Sequence, residues 1–549
     1  MMGANNYSGR LSESEKQNLT RIIKDISKGN EIASAIAYGS RVAGYANKDS
    51  DYDVIIVLNN YKPKVKYRYV KGEIDISALL VNKEDIQSDA GRATLGEFVA
   101  GRLLNVYEPL IGEDISNIEH SLKRRVILES LEEIEASFGE FSCEIVIPVE
   151  YFLFDKLKKR ATIYPPVLYS YAKTYGESLA KTNIEAACLG FLEALKEIKR
   201  NGLINIENGN IRVRNRLSES WTIKLSEMIR DTKRGLTQYA VHGYAGTVGL
   251  DVIGKELLSK IARTRKGFDI PVTIKHPRKL WSLEEGTLIV DEYDWFNKLL
   301  EQQGFKSDAN VRIENAGEMY SVSKIYSIED KNHKLKVVIK NFSDIKALKW
   351  IFLNIWTLLS KRFDMNPMSR LYREYSAMRK LRDLGLNTPK VISIILDHKI
   401  LVTEYIDGPD LAKLIMGFFT GNERNLNTVR QYGQELGKVH SAGYTLGDTK
   451  PSNILVSNNK IYLVDLEQMG QNNEKGWDIA EFVYYSSKFT LDSDKAGILV
   501  EEFLDGYLSY GRKEWVKESL KIGYLTPFQP MLAPNVSRTI RRKMKDKSS

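Results

Sequence analysis

Three polar residues in the C-terminal third constrain this chain more than any other feature: Asp448, Asn453 and Asp465. They are held in a run Leu446-Gly447-Asp448-Thr449-Lys450-Pro451-Ser452-Asn453, followed by strand-like Ile454 to Val456, a Ser457 to Asn459 turn, and strand-like Ile461 to Val464 ending on Asp465. Apolar run, polar turn, apolar run is the pattern of a β-hairpin, and a hairpin carries both its ends to one edge. Two carboxylates and an amide therefore meet at that edge, preceded by an amphipathic helix that ends at His440-Ser441-Ala442-Gly443.

Oxygen donors at that spacing suit magnesium or manganese, and a lysine close by would complete a triphosphate site. Leu335 to Phe342 (LKVVIKNF) reads as a strand whose inward-capable Lys340 follows Val337, Val338 and Ile339, and a later helix carries Glu374 (RLYREYSAMRKL). Phosphoryl transfer needs little covalent help: the protein holds the triphosphate, neutralises charge and positions the acceptor hydroxyl. In that scheme Asn453 and Asp465 are metal ligands, Asp448 takes the hydroxyl proton, and Lys450 stabilises the transferring group. Lys340 with Glu374 holds the α and β phosphates of ATP. Each has a bland alternative, a snorkelling strand lysine, a surface helix acid or plain turn residues, but all five in this order read as a kinase site. In the protein-kinase-like superfamily that these residues resemble, a glycine-rich loop covers the phosphates and a hinge meets adenine through backbone groups. The resemblance implies, by position, that Glu314 to Ser323 (ENAGEMYSVS), with the single glycine Gly317, is that loop and Glu404 to Ile406, after the strand Ile400 to Thr403, that hinge.

This constellation resembles the protein-kinase-like superfamily over about residues 286 to 530, and within it the compact atypical branch of RIO kinases, the kinase subunit of archaeal KEOPS complexes and the aminoglycoside phosphotransferases. Leu446 and Gly447 stand where typical protein kinases have His and Arg, so no arginine there reads a phosphorylated activation loop. Asp465 is followed by Leu466 and Glu467, not Phe and Gly, and only a short segment separates it from Trp477-Asp478-Ile479-Ala480, where Asp478 is expected to be a structural cap.

A second site is written near the N-terminus. Ala33 to Tyr38 reads as a buried strand broken by Gly39 and Ser40, and Tyr52 to Leu58 (YDVIIVL) as a second strand. Asp51 and Asp53 lie two apart at its mouth, so a strand's period of two points both to one face. The Gly39-Ser40 turn offers N–H groups and a hydroxyl to a triphosphate. Tyr67 to Leu80 supplies a third acid, Asp75, read here as set between Ile74 and Ile76 among apolar neighbours, with Glu73 as the alternative. The stretch from about residue 10 to 115 resembles the nucleotidyltransferase superfamily that includes polymerase beta and the small antibiotic nucleotidyltransferases. The resemblance implies that Gly39 and Ser40 hold a nucleoside triphosphate, that Asp51 and Asp53 bind two metal ions, and that Asp75 binds metal or acts as base on the attacking side.

With 549 residues, 43% hydrophobic and 28% charged, the chain reads as an α+β multidomain protein. The expected parts are a nucleotidyltransferase fold over 1–118, a helical and winged-helix-like middle over 119–216, a helical connector over 217–285, a bilobal protein-kinase-like fold over 286–535 and a basic tail over 536–549. The winged-helix outline rests on a helix to Lys199, Leu203 to Ile206, the Asn208-Gly209-Asn210 turn and Ile211 to Val213, with Arg212, Arg214 and Arg216 near the wing. Two cysteines, Cys143 and Cys188, build neither a disulfide framework nor a four-ligand zinc site, and His242 stands without His or Cys nearby. Met1 to Lys16 lacks a secretory pattern, and the best membrane candidate, Ala347 to Leu359, is too short and carries Lys349 and Asn354. The expected setting is cytoplasmic, with no membrane partner, an unidentified protein or small-molecule acceptor, and nucleic acid as a further partner. The net charge of +9 supports that partner only weakly; its densest stretch, Arg538 to Lys547, reads as a frayed terminus.

Overall fold

The computed structural model describes residues 10–112, 115–214, 237, 268–315, 323–331, 333–343, 366–471 and 474–549. They fall into two compact units, Met1–Ser282 and Leu283–Ser549. Gly317, Arg216, His242, the stretch 347–359 and most of the connector lie outside the described residues.

The first unit opens with α1 (Glu13–Ser27), started by a reciprocal cap in which the Ser12 hydroxyl accepts from the Glu15 N–H and the Glu15 carboxylate accepts from the Ser12 N–H. Its sheet runs in the order β3-β4-β2-β1-β5, built from β1 (Ile32–Tyr38), β2 (Tyr52–Leu58), β3 (Val65–Val70), β4 (Ile76–Asn82) and β5 (Glu108–Ile111). β2 is central, antiparallel to β1 and parallel to β4. Being covered on both faces, it reads as a near-continuous apolar run in which Asp53 is the exception. Tyr52, Val54, Ile56 and Leu58 pack on α1 residues Leu19, Ile23 and Ile26. The turn between β1 and β2 holds a one-turn helix, α2 (Ser40–Ala43), and β4 leads into α3 (Lys83–Arg92).

The helical middle comprises α4 (Ile115–Phe138), α5 (Val149–Ile163), α6 (Val167–Gly176) and α7 (Ala180–Arg200). A small sheet accompanies it, β6 (Ile147–Pro148), β7 (Ile204–Glu207) and β8 (Asn210–Val213), in the order β6-β8-β7. Asn208 and Gly209 both take positive φ, 51° and 80°, the tight two-residue hairpin that Asn-Gly favours.

The second unit has a six-stranded sheet in the order β10-β11-β12-β14-β13-β9: β9 (Thr287–Ile289), β10 (Asn310–Asn315), β11 (Ser323–Glu329), β12 (Lys334–Asn341), β13 (Val391–Ile395) and β14 (Ile400–Glu404). It packs on α8 (Trp295–Gln302), whose Leu299 and Leu300 join Val337, Ile339, Ile400 and Val402 in one core. Between β12 and β13 comes α9 (Pro367–Asp383), capped by the Asn366 side chain. The helical part follows, with α10 (Leu411–Phe419), α11 (Leu426–Ser441), the hairpin β15 (Ile454–Ser457) and β16 (Lys460–Leu463), α12 (Lys475–Ser487), α13 (Ser493–Tyr507) and α14 (Pro534–Ser548). Helices α11 and α13 cross with their backbones almost touching: a Cβ at Gly506 would run into the Arg430 carbonyl oxygen, and one at Gly433 into that of Phe503.

Two expectations are corrected here. Asp75 is not inside a strand among apolar neighbours; the segment is a hairpin, and Asp75 is an exposed residue of its turn, directly before β4. The alternation of Ile74 and Ile76 continues across the turn and conceals it. The C-terminal basic stretch is not frayed. Its Val536, Ile540 and Met544 recur every four residues and are buried, while Lys543 pairs with Glu501 at 2.8 Å and Lys547 with Asp505. Much of that positive charge is therefore matched within the fold.

Candidate active sites

In the second unit the sheet, α9 and the β15-β16 hairpin converge on one lysine. Lys340, near the end of β12 and only 7% exposed, has its ammonium 3.0 Å from Glu374 on α9, 2.6 Å from Asp465 and 3.2 Å from Glu467. Burial alone lowers a lysine's pKa, but the three carboxylates outweigh it and hold Lys340 charged, well above its ordinary range. Glu374 is pushed up to about 7, by burial first, with Asp465 and Glu467 adding to it against the pull of Lys340. At Asp465 burial acts upward, yet Lys340 prevails and the carboxyl sits below its usual value. Asp465 holds a left-handed backbone, φ 58°, which a non-glycine residue keeps only where its surroundings demand it.

Glu467 is the residue that the sequence reading did not assign. It is 3% exposed, and both its oxygens accept from Arg370 on α9, at 3.0 and 2.8 Å. An acid two positions beyond Asp465 was the available signal.

On the opposite side lies the loop before the hairpin. Asp448 accepts from Lys450 at 3.0 Å through Oδ2, while its Oδ1 is buried with no hydrogen-bond partner among the described residues. Asn453 donates its side-chain amide to the Asp448 carbonyl at 3.4 Å, and its own carbonyl accepts from Val464, next to Asp465, at 3.0 Å. Asp478 lies inside α12 and does not cap that helix. Its carboxylate gathers the loop instead, accepting from the Leu446 N–H at 2.6 Å and the Gly447 N–H at 2.9 Å, with His440 Nε2 at 3.1 Å. Glu481, one turn on, accepts from the Thr449 N–H at 2.7 Å and is pushed up to about 8 by burial and by Asp448. The expected hinge residues end β14: the Glu404 N–H bonds the Lys390 carbonyl, its side chain accepts from the Lys390 N–H at 2.9 Å, and Ile406 follows half-buried.

The donor set fits a hard divalent cation. Among the described residues, the oxygens of Glu374, Asp465 and Glu467 lie within 4.8 Å of one another, three acids facing two cations, Lys340 and Arg370. Together with the Asp448 oxygen this leaves acceptor capacity that the two cations do not match. Asn453 and Asp465 are the residues that would hold magnesium or manganese; a bound ion supplies charge neutralisation for phosphate oxygens.

In the first unit, Asp51 directly precedes β2, and Asp53 lies in it. The register Tyr52↔Ile76 and Asp53↔Ser77 sets Asp75 level with Asp51 one step outside the ladder, and the Tyr52 N–H bonds the Asp75 carbonyl at 2.8 Å. Asp51, Asp53 and Asp75 thus share one face at one end of adjacent strands, although their oxygens do not converge as tightly as those around Lys340. The Asp75 carboxylate accepts from the Gly72 N–H at 3.3 Å. Gly39 has φ 82°, and a Cβ there would collide with Asp53 Oδ2, so the turn backbone lies directly against the carboxylate. Ser40 opens α2, whose Arg41 donates to the Ser50 carbonyl at 3.0 Å and lies over the Tyr52 ring, fastening the turn to the acid-bearing loop.

The two folds, each with its gathered acids, are an N-terminal nucleotidyltransferase domain and a C-terminal atypical kinase domain, the make-up of a transferase. Residues 21–94 match the family described as polymerase beta nucleotidyltransferases, and residues 332–486 match the lipopolysaccharide kinase (Kdo/WaaP) family. The kinase domain is also Bud32-like. The KEOPS complex subunit Bud32 of Pyrococcus abyssi is 33% identical over 96 residues, 18% of this chain and 43% of that protein. A "Probable serine/threonine-protein kinase BUD32 homolog" of Archaeoglobus fulgidus is 27% identical over 195 residues, 34% of this chain and 92% of that one. A "Probable bifunctional tRNA threonylcarbamoyladenosine biosynthesis protein" of Methanococcus vannielii is 28% identical over 160 residues, 29% of this chain and 28% of that protein. The chain spans less than half the length of the first and third of these relatives. No helix among the described residues is long and apolar enough to cross a membrane.

Proposed function

We propose that the second unit is an ATP-dependent phosphotransferase acting on a serine or threonine hydroxyl of a protein, and that the first unit transfers a nucleotidyl group from a nucleoside triphosphate. The observation that carries the kinase reading is Lys340, held at 3.0 Å from Glu374 and 2.6 Å from Asp465, which aims one fixed cation at the α and β phosphates. Asp448 takes the acceptor's proton, Lys450 steadies the transferring group, and Asn453 with Asp465 holds magnesium or manganese. In the first unit Gly39 and Ser40 cradle the triphosphate, Asp51 and Asp53 bind metal, and Asp75 binds metal or serves as base. The names of the relatives add a setting for the kinase: a KEOPS-type complex with protein partners and tRNA. The β7-β8 hairpin after α7, with β6 paired to β8, supports a winged-helix-like reading of the middle, a second surface for nucleic acid, and the two layers around Lys340 support a bilobal kinase-like fold.

The test uses ATP labelled at the α or the γ phosphate, with magnesium or manganese, and cell extract as acceptor. Asp448→Asn or Asp465→Ala is expected to remove γ-label transfer by at least ~100-fold while leaving α-label transfer intact, and Asp51→Asn or Asp53→Asn to do the reverse. Transfer of both labels unchanged in these variants would refute the assignment.

A further inference from the structure

Helix α12 is buried on almost every side, yet it carries two acids one turn apart, Asp478 and Glu481, which are 0% and 5% exposed. A carboxyl group in such a place is costly unless hydrogen bonds answer it. Asp478 is answered by the Leu446 and Gly447 N–H groups and by His440. Glu481 is answered by Thr449: its Oε2 accepts from the Thr449 N–H at 2.7 Å and from the Thr449 hydroxyl at 3.2 Å. The same hydroxyl reaches the Asp478 carbonyl at 2.8 Å, so Thr449, itself 1% exposed, is fastened to α12 by both backbone and side chain.

Thr449 stands between the two residues to which the kinase reading gives acceptor chemistry. The stretch from Leu446 to Lys450 belongs to no helix or strand, so its shape depends on the groups that hold its N–H donors, and α12 holds those of Leu446, Gly447 and Thr449. With Thr449 drawn toward the helix, extended backbone sends its two neighbours to the other side, and there Lys450 meets Asp448 at 3.0 Å. Charge couples the same residues. Burial first, and then Asp448, pushes Glu481 up to about 8, against the pull of Lys450 and the Thr449 N–H. Burial pulls the Lys450 ammonium down, but Asp448 and then Glu481 outweigh it, with Asp465 adding to them. The other groups that face Glu481 are Asp478 on its own helix and Tyr432 on α11, a phenol that burial keeps neutral. Below about pH 8 Glu481 is uncharged and leaves Lys450 to Asp448; above it a further anion competes for the same ammonium.

We infer that Glu481 is a positioning residue for phosphoryl transfer in the second unit: through Thr449 it sets Asp448 and Lys450 as a pair, and it does so in its uncharged form. This rests on the phosphotransferase reading and adds to it a residue that acts through the loop. Ionised Glu481 still accepts from Thr449, but it draws Lys450 away from Asp448, so the pair comes apart without the loop being released.

The experiment compares Glu481→Gln and Glu481→Leu with the unaltered full chain in two ways: γ-label transfer to cell extract from about pH 6 to about pH 9.5, and amide hydrogen exchange of the loop 446–450 read by mass spectrometry. Glutamine keeps an acceptor oxygen for Thr449 and cannot ionise. Glu481→Gln is expected to match the parent within about twofold near pH 7 and to lose the fall in rate that the parent shows above about pH 8. Leucine fills the space and removes the acceptor. Glu481→Leu is expected to speed loop exchange at least ~10-fold and to cut the rate at saturating ATP at least ~10-fold, with KM for ATP changed less than about twofold. Unchanged loop exchange or an unchanged rate in folded Glu481→Leu overturns the inference, as does a parent rate that stays level through pH 8 or an alkaline fall that survives in Glu481→Gln. Where Glu481→Leu does not fold, the Glu481→Gln profile decides alone. Loop exchange that quickens in Glu481→Leu and not in Glu481→Gln, in a chain that transfers no γ label, upholds the hold on the loop and overturns the phosphotransferase reading instead.

Discussion

Arg370, near the start of α9, grips both oxygens of Glu467 at 3.0 and 2.8 Å, and the two residues are 7% and 3% exposed. Glu467 also reaches Lys340 at 3.2 Å, so the helix that supplies Glu374 and the loop that supplies Asp465 are clamped to each other and to that lysine. Removing one partner strands a buried charge, at a cost of ~3–5 kcal/mol, whereas removing both leaves none. Arg370→Met is therefore expected to lower thermal stability and cut γ-phosphoryl transfer at least ~10-fold. Arg370→Met with Glu467→Leu is expected to recover most of the stability and little of the activity. Calorimetry and label transfer on the two variants check this, and equal losses in both assays for both variants would count against the clamp.

Gly39→Ala tests the close approach at the N-terminal site. The new methyl meets Asp53 Oδ2 and the backbone keeps φ 82°, so relief requires movement of the turn or of the carboxylate. Transfer of α label is expected to fall at least ~10-fold with γ-label transfer unaltered. Parallel single-turnover assays on one preparation decide it.

Asp478→Asn addresses the loop that carries Asp448. An amide replaces one acceptor oxygen with a donor facing the Leu446 or Gly447 N–H, now bonded at 2.6 and 2.9 Å. The expected outcome is a loss of ~2–4 kcal/mol of stability in the second unit and, under the proposed roles, a fall in kcat larger than the rise in KM for ATP, because Asp448 is displaced while Lys340 is not. Thermal melts and steady-state kinetics measure the two effects.

Glu435 on α11 gives a pH dependence. Its Oε2 is buried with no hydrogen-bond partner among the described residues, and burial, against a weaker pull from Lys438, pushes its carboxyl from an ordinary 4.5 up to about 7. A raised folded-state value means that the folded protein binds the extra proton, so this stabilising contribution is full below about pH 4.5 and is lost as pH rises through about 7. Glu435→Gln is expected to match the parent at pH 5 and to exceed it by on the order of 1–2 kcal/mol at pH 8, after discounting for solvent screening. Melting temperatures across that range provide the measurement.

The hairpin bearing Asn453 and Asp465, the strand of Lys340, the helix of Glu374 and the β1-turn-β2 unit of Gly39 to Asp53 were all legible, because each couples a local period to a punctuating turn. Asp75 was found but misjudged, since isoleucines on both sides of a turn imitate a continuing strand. The Arg370–Glu467 clamp and the hydrogen bonds that Arg102 donates to the Tyr38 and Tyr67 hydroxyls, at 3.0 and 2.7 Å, were not legible. Their partners are separated by long stretches of chain, and an arginine that reads as a solvated charge becomes a buried one only when two distant elements close around it. The terminal helix was missed for a related reason: three apolar residues among six cations look negligible until α13 offers them a face.

Between Asp465 and α12, which begins at Lys475, the chain has room for little more than a link. Typical kinases hang there a long strap whose rearrangement opens or blocks the cleft. A segment this short leaves no strap to swing, so its rearrangement cannot gate the site in that way.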